Sequence, residues 1–210
     1  MRPRIGVLAM QGDFEEHITL LRRVDVDAHE VRTDAELDAC DGLIIPGGES
    51  TTIARLLLAF ELMEPLRRRL VDGMPAWGTC AGAILLASEA PELDRPPIGA
   101  MDIAVHRNAF GRQVDSFEAD VAVDGIDGGP LRAVFIRAPV ITSTGPEVQV
   151  IARLDDGRVV ACRQGAMLAT SFHPELTDDA RFHQFFASLV RASIDGRTAE
   201  HAQPAEEAPA

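Results

Sequence analysis

Short apolar runs alternate with helical patterns through the first half of the chain, and few folds other than βαβ units around a mostly parallel sheet can absorb that order. Arg4 to Ala9 reads as a buried strand, and Asp13 to Arg23, with Phe14, Ile18 and Leu21 on one face, as the helix after it. A second strand fits Val26 to Val31. A third, Gly42 to Ile45, ends in Pro46-Gly47-Gly48, after which Ser50 or Thr51 is placed to cap a helix carrying Ile53, Leu56, Leu57 and Phe60. A further helix, Met63 to Val71, leads through Gly73 and Pro75 to a short strand at Ala76 to Gly78, and Ala81 to Ala87 looks helical.

The pattern changes after Pro91. Apolar or period-2 runs at Met101 to Val105, Ser116 to Val123, Ala133 to Ile136, Val148 to Leu154, Val159 to Arg163 and Met167 to Ser171 predict a strand-rich, partly antiparallel half. Ala180 to Ser193 closes the fold as an amphipathic helix. From Gly196 to Ala210 periodicity and large apolar groups are lacking, which predicts a disordered tail over 196–210. With 210 residues, 46% of them hydrophobic, residues 1–195 are expected to form one α/β domain, an open, mostly parallel but mixed sheet flanked by helices.

Composition narrows the chemistry. The sequence contains no Lys and no Tyr, so a Walker A lysine, a Schiff-base lysine and a Tyr/Lys proton relay are excluded. A formal net charge of −13 argues against nucleic acid and against anionic membrane surfaces as partners. The apolar run Ile5 to Met10, interrupted by Gly6, is too short for a signal-peptide core, and no segment approaches the length of a membrane span. Three widely spaced cysteines, Cys40, Cys80 and Cys162, fit neither a disulfide framework nor a CxxC zinc site. A reduced, cytoplasmic protein is the expectation.

Gly78-Thr79-Cys80-Ala81-Gly82 lies between a strand and a helix and is the cysteine version of the G-x-S-x-G nucleophile elbow. Small residues at its ends permit a sharp turn that exposes the central side chain, and the positive end of a helix dipole favours the thiolate form of a cysteine placed there. A buried cysteine in a Gly-rich turn is the plainer alternative. His173-Pro174-Glu175 follows the last expected strand, and a spacing of two puts His and Glu on the same side of an extended segment. His173 could then serve Cys80 as base and acid, with Glu175 orienting the imidazole. Pro46-Gly47-Gly48-Glu49-Ser50 supplies backbone N–H groups at the end of the third strand. With the Ala81 amide, Gly47 could form an oxyanion hole, the competing reading being a phosphate cradle.

On these residues the chain resembles the class I, triad-type glutamine amidotransferases. Within them it is similar to the glutaminase subunits of pyridoxal 5′-phosphate synthases from about Ile5 to Val190. Five stretches carry the resemblance. They are Gly6-Val7-Leu8-Ala9-Met10-Gln11-Gly12 with Glu16-His17, then Pro46-Gly47-Gly48-Glu49-Ser50-Thr51-Thr52, and the Cys80 elbow. The others are Arg107-Asn108-Ala109-Phe110-Gly111-Arg112-Gln113 continuing to Ser116-Phe117-Glu118, and Phe135-Ile136-Arg137-Ala138-Pro139 with His173-Pro174-Glu175-Leu176. Met10 stands where Leu is commoner in the family.

The resemblance implies a flavodoxin-like fold and hydrolysis of L-glutamine to glutamate and ammonia. The ammonia would pass to a (β/α)₈-barrel synthase subunit in a hetero-oligomeric complex that makes pyridoxal 5′-phosphate. It further implies Cys80 as nucleophile, His173 as general acid/base and Glu175 as its orienter. Gly47, Gly48, Glu49, Arg107, Ile136 and Arg137 would bind glutamine, with Arg107 suited to the carboxylate. No metal or cofactor is implied. The rival readings are a class I glutaminase of another pathway, a cysteine peptidase or amidase, and a silent module that only binds a synthase. His17, His29, His106, His183 and His201 read as surface or structural groups, Cys40 and Cys162 as packing residues, and Arg67-Arg68-Arg69 as a solvated helix face.

Overall fold

Strand β1 (Arg4–Leu8) shows why the parallel half forms. Ile5 and Val7 enter one apolar cluster and Leu8 the other, so both faces are covered, as a central parallel strand requires. In β3 (Gly42–Ile45) Ile44 likewise faces one way and Leu43 and Ile45 the other. The computed structural model describes residues 2–107 and 116–202.

Its main sheet has ten strands. β2 (Asp27–Val31), β1, β3, β4 (Ala76–Thr79) and β12 (Met167–Thr170) lie side by side and parallel. The sheet then turns antiparallel through β11 (Val159–Gln164), β9 (Val140–Thr144) and β6 (Met101–His106). β5 (Ala87–Glu89) pairs with β6, and β10 (Gln149–Arg153) pairs with β11. A separate pair, β7 (Ser116–Val121) and β8 (Leu131–Ile136), is antiparallel.

Helices α2 (Asp34–Asp38), α3 (Ser50–Ala59), α4 (Met63–Val71) and α5 (Ala81–Leu86) bury Leu37, Ile53, Leu57, Leu66 and Leu85 on one face of the sheet. On the other face, α1 (Phe14–Leu21), α6 (Arg181–Ala202) and the β7–β8 pair bury Ile18, Leu21, Phe182, Phe186 and Phe135. Trp77 of β4 stacks on Phe182 with ring centroids 4.7 Å apart, and Phe135 stacks on Phe117.

Several details differ from the sequence expectation. The helix expected to start on a Ser50 or Thr51 cap is capped by Glu49, whose carboxylate accepts from Thr51 N at 3.2 Å. The helix expected over Ala81 to Ala87 stops at Leu86. Ala87 is already extended, pairs with Met101 in β6, and is followed by Ser88, whose hydroxyl donates to Ile103 O. Helix α2 and strand β9 are additional. α2 rests on a capping box between Thr33 and Glu36, a pattern the sequence carries, whereas β9 is short and half polar. α6 continues beyond Ser193 through Ala202, into the segment expected to be a tail. The rest of that segment, 203–210, and the Asn108 to Gln113 motif lie outside the described residues. Arg67 and Arg69 are not a merely solvated face. Arg67 donates to the carbonyls of Pro97 and Ile98, and Arg69 bridges Asp34 and Asp38.

Two glycines set how closely α5 approaches the sheet. A Cβ on Gly82 would lie 2.0 Å from Ile45 O, and one on Gly78 would lie 2.4 Å from Gly82 C. Backbone atoms cannot swing aside as a flexible side chain can. Gly82→Ala should therefore cost at least about 1–3 kcal/mol through overpacking, read as a lower midpoint in urea unfolding.

Candidate functional site

The strand order places β1 and β3 side by side with β2 on the far side of β1, so the order reverses there, and open α/β sheets bind ligands at such a crevice. Three segments leave the sheet at this edge: Gln11 to Asp13 after β1, Pro46 to Ser50 after β3, and Cys80 after β4. Cys80 sits at φ 47°, ψ −101°, a conformation that costs a non-glycine residue on the order of 1–3 kcal/mol. Its amide donates to Thr170 O of the adjacent β12 at 2.8 Å, which holds the turn in place. The side chain is buried at the pocket wall.

His173 follows β12, and its amide donates to Val134 O of β8 at 2.8 Å. The sequence expectation for His173 and Glu175 is an extended segment. They instead flank the start of a 3₁₀ turn, Pro174–Leu176, because proline at its first position favours helical φ. The curl brings His173 Nδ1 to 2.7 Å from Glu175 Oε1. Burial disfavours the imidazolium, but hydrogen bonds to Asp13, Cys80 and Glu175 and the Glu175 charge outweigh it, pushing His173 up to about 12. Burial pushes Glu175 up, and its hydrogen bond with His173 opposes that. The structure thus brings Cys80 together with His173 and Glu175 from two separate segments.

Cys80 and His173 open onto a pocket of about 360 Å³ also lined by Gly48, Glu49, Ala81, Arg107, Ile136 and Arg137. Gly47 packs directly behind the imidazole, where a Cβ would fall 2.3 Å from His173 Cε1. Gly48 has φ 147° and faces Gln11, whose Oε1 accepts from Glu49 N at 2.8 Å. Also on the pocket lining, Arg107 Nη2 donates to Glu49 Oε1 at 2.8 Å and Arg107 Nη1 to Thr51 Oγ1 at 3.1 Å. Arg137, at φ 43°, follows Ile136 at the end of β8. Every residue expected from the sequence therefore lines the pocket or, for Glu175 and Gly47, backs its catalytic wall.

Sequence reasoning missed Gln11 and Asp13 as pocket residues. Asp13 Oδ2 lies 3.4 Å from His173 Nδ1. Their signal was position: both directly follow β1 at the sheet edge where ligands bind. His17 and His183, expected to be surface or structural, are both fully buried behind Glu175. His17 Nδ1 is 2.9 Å from His183 Nε2, and its Nε2 is 3.2 Å from Thr79 Oγ1. Burial, with His183 and His173 nearby, holds His17 well below the ordinary histidine value, and burial pulls His183 down to about 3. The remaining described histidines stand apart from the pocket: His106 bonds Glu92, and His29 lies 3.2 Å from Cys40 Sγ. Burial pushes both Cys40 and Cys162 up to about 12, in keeping with packing roles.

Asp13, His173 and Glu175 are the described side chains close enough to share a metal ion. They lie beside the same pocket, and His173 Nδ1 is engaged by Glu175. As it stands, the arrangement suits acyl transfer: a nucleophile on an elbow, an imidazole beside it, a carboxylate behind the imidazole, and an ion pair across the pocket.

The pattern of the SNO glutamine amidotransferase family matches residues 7–192. A pyridoxal 5′-phosphate synthase subunit PdxT from Acidothermus cellulolyticus is 57% identical over 199 residues, covering 91% of this chain and 95% of that protein. The subunit of that name from Mycobacterium leprae is 57% identical over 193 residues, covering 90% and 96%. A crystal structure described as a glutamine amidotransferase superposes with a TM-score of 0.84 at 48% identity, covering 89% of this chain and 98% of that one. The structure of PurLQS from Thermotoga maritima shares the fold, with a TM-score of 0.65 at 18% identity, covering 94% of this chain and 100% of the matched one.

The buried neutral histidines make stability depend on pH. Their folded-state values lie below the ordinary histidine value of about 6.5, so their contribution is complete above that pH and is lost as pH falls below it, for His183 toward about 3. His173, raised instead, makes its contribution below about 6.5 and loses it as pH rises toward 12. Urea unfolding between about pH 6.5 and 5 should show stability falling by up to ~1.4 kcal/mol per pH unit for each buried neutral histidine, and His183→Phe should remove one such share.

Proposed function

The chain belongs to the SNO glutamine amidotransferase family, and from that premise we propose that it is the glutaminase of a pyridoxal 5′-phosphate synthase, working through Cys80, His173 and Glu175. It hydrolyses L-glutamine to L-glutamate and ammonia, and the ammonia supplies vitamin B6 synthesis. The observation that carries the residue roles is the meeting of Cys80 and His173, with Glu175 behind the imidazole, at the wall of a pocket that the Arg107–Glu49 pair also lines.

Glutamine is a zwitterion with a neutral amide at the far end of its side chain. Without substrate, Arg107 and Glu49 satisfy each other. The α-carboxylate would take over the Arg107 guanidinium and the α-ammonium the Glu49 carboxylate, so substrate enters by exchanging partners without stranding a charge. Gly47, Gly48, Ile136 and Arg137 complete the glutamine site, leaving the side-chain amide beside Cys80.

The Cys80 thiolate attacks the amide carbon, forming a C–S bond and placing the carbonyl electron pair on oxygen. The Gly47 and Ala81 amides are the assigned donors to that oxyanion, because Gly47 backs the imidazole and Ala81 begins the helix directly after the nucleophile. The His173 imidazolium gives its proton to the departing nitrogen, the C–N bond breaks, and ammonia leaves a thioester. Water then attacks while His173 takes its proton, the C–S bond breaks, and glutamate departs. Glu175 holds the imidazole through Nδ1 so that Nε2 is the atom that handles each proton.

The chain is the glutamine-using subunit of a synthase complex. The partner we assign is a (β/α)₈-barrel subunit in a hetero-oligomer, which receives the ammonia. Joining ammonia to sugar phosphates is amine-to-carbonyl chemistry, and this chain has no lysine with which to form imines. The compartment we assign is the cytoplasm, where a nucleophilic thiol stays reduced.

Ammonia release from glutamine, measured on the full chain with and without the barrel subunit, tests this reading. Cys80→Ala should lose at least about 10³-fold in kcat while still binding the partner. Arg107→Ala should raise KM by roughly 10- to 100-fold, the worth of a hydrogen bond to a charged group, with a smaller change in kcat. An electrophilic glutamine analogue should add to Cys80 in mass mapping. Adduct at Cys40 or Cys162 instead, or robust turnover by Cys80→Ala, would contradict the site.

A further inference from the structure

Glu175 has two carboxylate oxygens, and His173 uses one of them. The other, Oε2, is buried without a hydrogen-bond partner of normal geometry, and His17 Nε2 faces it at 3.4 Å. A buried carboxylate satisfied at one end is costly, and it is poorly fixed against rotation away from the imidazole it must orient.

The neighbours of His17 decide what its ring offers that oxygen. Burial keeps His17 and His183 neutral, so each carries one N–H. His183 Nε2 and His17 Nδ1 are 2.9 Å apart, and one of those two atoms must donate to the other. A proton on His17 Nδ1 would turn the Nε2 lone pair toward the carboxylate lone pairs, which is repulsive. With the proton on Nε2, His17 donates to Thr79 Oγ1, holds that N–H 3.4 Å from the otherwise unpartnered Glu175 Oε2, and accepts from His183 Nε2–H at its other nitrogen. His183 Nδ1 then remains as a bare lone pair. That atom is indeed buried without a partner, and an unpaired acceptor is tolerated better than an unpaired N–H.

Thr79 directly precedes Cys80 in β4. A single nitrogen of His17 therefore bonds the strand end that carries the nucleophile and sits beside the free oxygen of the carboxylate behind the acid/base. We propose that His17, held in its Nε2–H tautomer by His183, is a positioning residue for glutamine hydrolysis. It fixes the second oxygen of Glu175 and through it the aim of His173 at Cys80. At 3.4 Å the contact is long, and catalytic hydrogen bonds are commonly long before substrate engages. The inference rests on reading Cys80, His173 and Glu175 as the catalytic triad.

Two substitutions separate positioning from packing. His17→Gln retains an amide N–H near the position of Nε2, and His17→Met fills similar space without a donor. In the full chain with its synthase partner, His17→Met should lower kcat by roughly 10- to 100-fold with KM for glutamine unchanged, as losing an outer hydrogen-bond partner typically does. His17→Gln should recover most of that loss. Wild-type kcat in His17→Met, or an equal loss in both variants, overturns the proposal. Should His17→Met fail to fold, ¹⁵N-histidine NMR of the unmodified chain decides it. An Nε2–H tautomer at His17 supports the proposal, and an Nδ1–H tautomer or a doubly protonated ring overturns it. Absence of glutamine turnover by the unmodified protein would instead defeat the triad reading, while the tautomer would still report whether His17 can donate to Glu175.

Discussion

The approach of α5 to β3 and β4 is the constraint on which the site depends. With Gly82 almost in contact with Ile45 O and Gly78 against the backbone of Gly82, the turn between strand and helix has room for little but backbone. Cys80 is consequently driven to positive φ, and the hydrogen bond from its amide to Thr170 ties that strain to β12. His173 leaves the end of the same β12, so one strand locates both the elbow and the imidazole that serves it. Replacing either glycine would move the helix, the nucleophile and the pocket wall together.

Charge is graded with depth from the pocket. Arg107 and Glu49 pair where both side chains are partly exposed, so a change of partner there costs less than it would for a buried pair. His173 lies deeper, with Asp13 and Glu175 favouring its charged form. Behind it the polarity is neutral again: His17, His183 and Thr79 form a buried hydrogen-bonded group against Trp77, whose indole N–H is itself satisfied by Thr170 Oγ1. A second cation there would compete with His173 for Glu175. Burial prevents it by keeping both rings neutral.

The absence of lysine fits a division of labour between two proteins. A glutaminase needs a thiol, an imidazole and a carboxylate, and this chain gathers Cys80, His173 and Glu175 at one sheet edge. Imine formation needs an amine side chain, which it lacks. Its net charge of −13 makes a complementary basic surface the natural docking face on the proposed barrel partner.

Much of this was legible in the sequence, because each signal was local. The strand–helix alternation, the Gly-x-Cys-x-Gly spacing and the glycines after β3 act through neighbouring backbone, so reading a short window was enough. Local signals were also where the misses could have been avoided, as with the Thr33/Glu36 capping box that starts α2. By itself the sequence determined most of the order of elements, the place of Cys80 at a strand–helix turn and most of the residues that line the pocket. Tertiary structure decided which polar groups meet. The curl of Pro174–Leu176 that turns Glu175 onto His173, the Asp13 contact, the Arg107–Glu49 pair and the His17–His183 couple depend on how the chain packs. A histidine on an amphipathic helix looks the same in sequence whether it faces water or a buried carboxylate, because its partner is supplied by the packing of other elements and leaves no mark on the residues beside it.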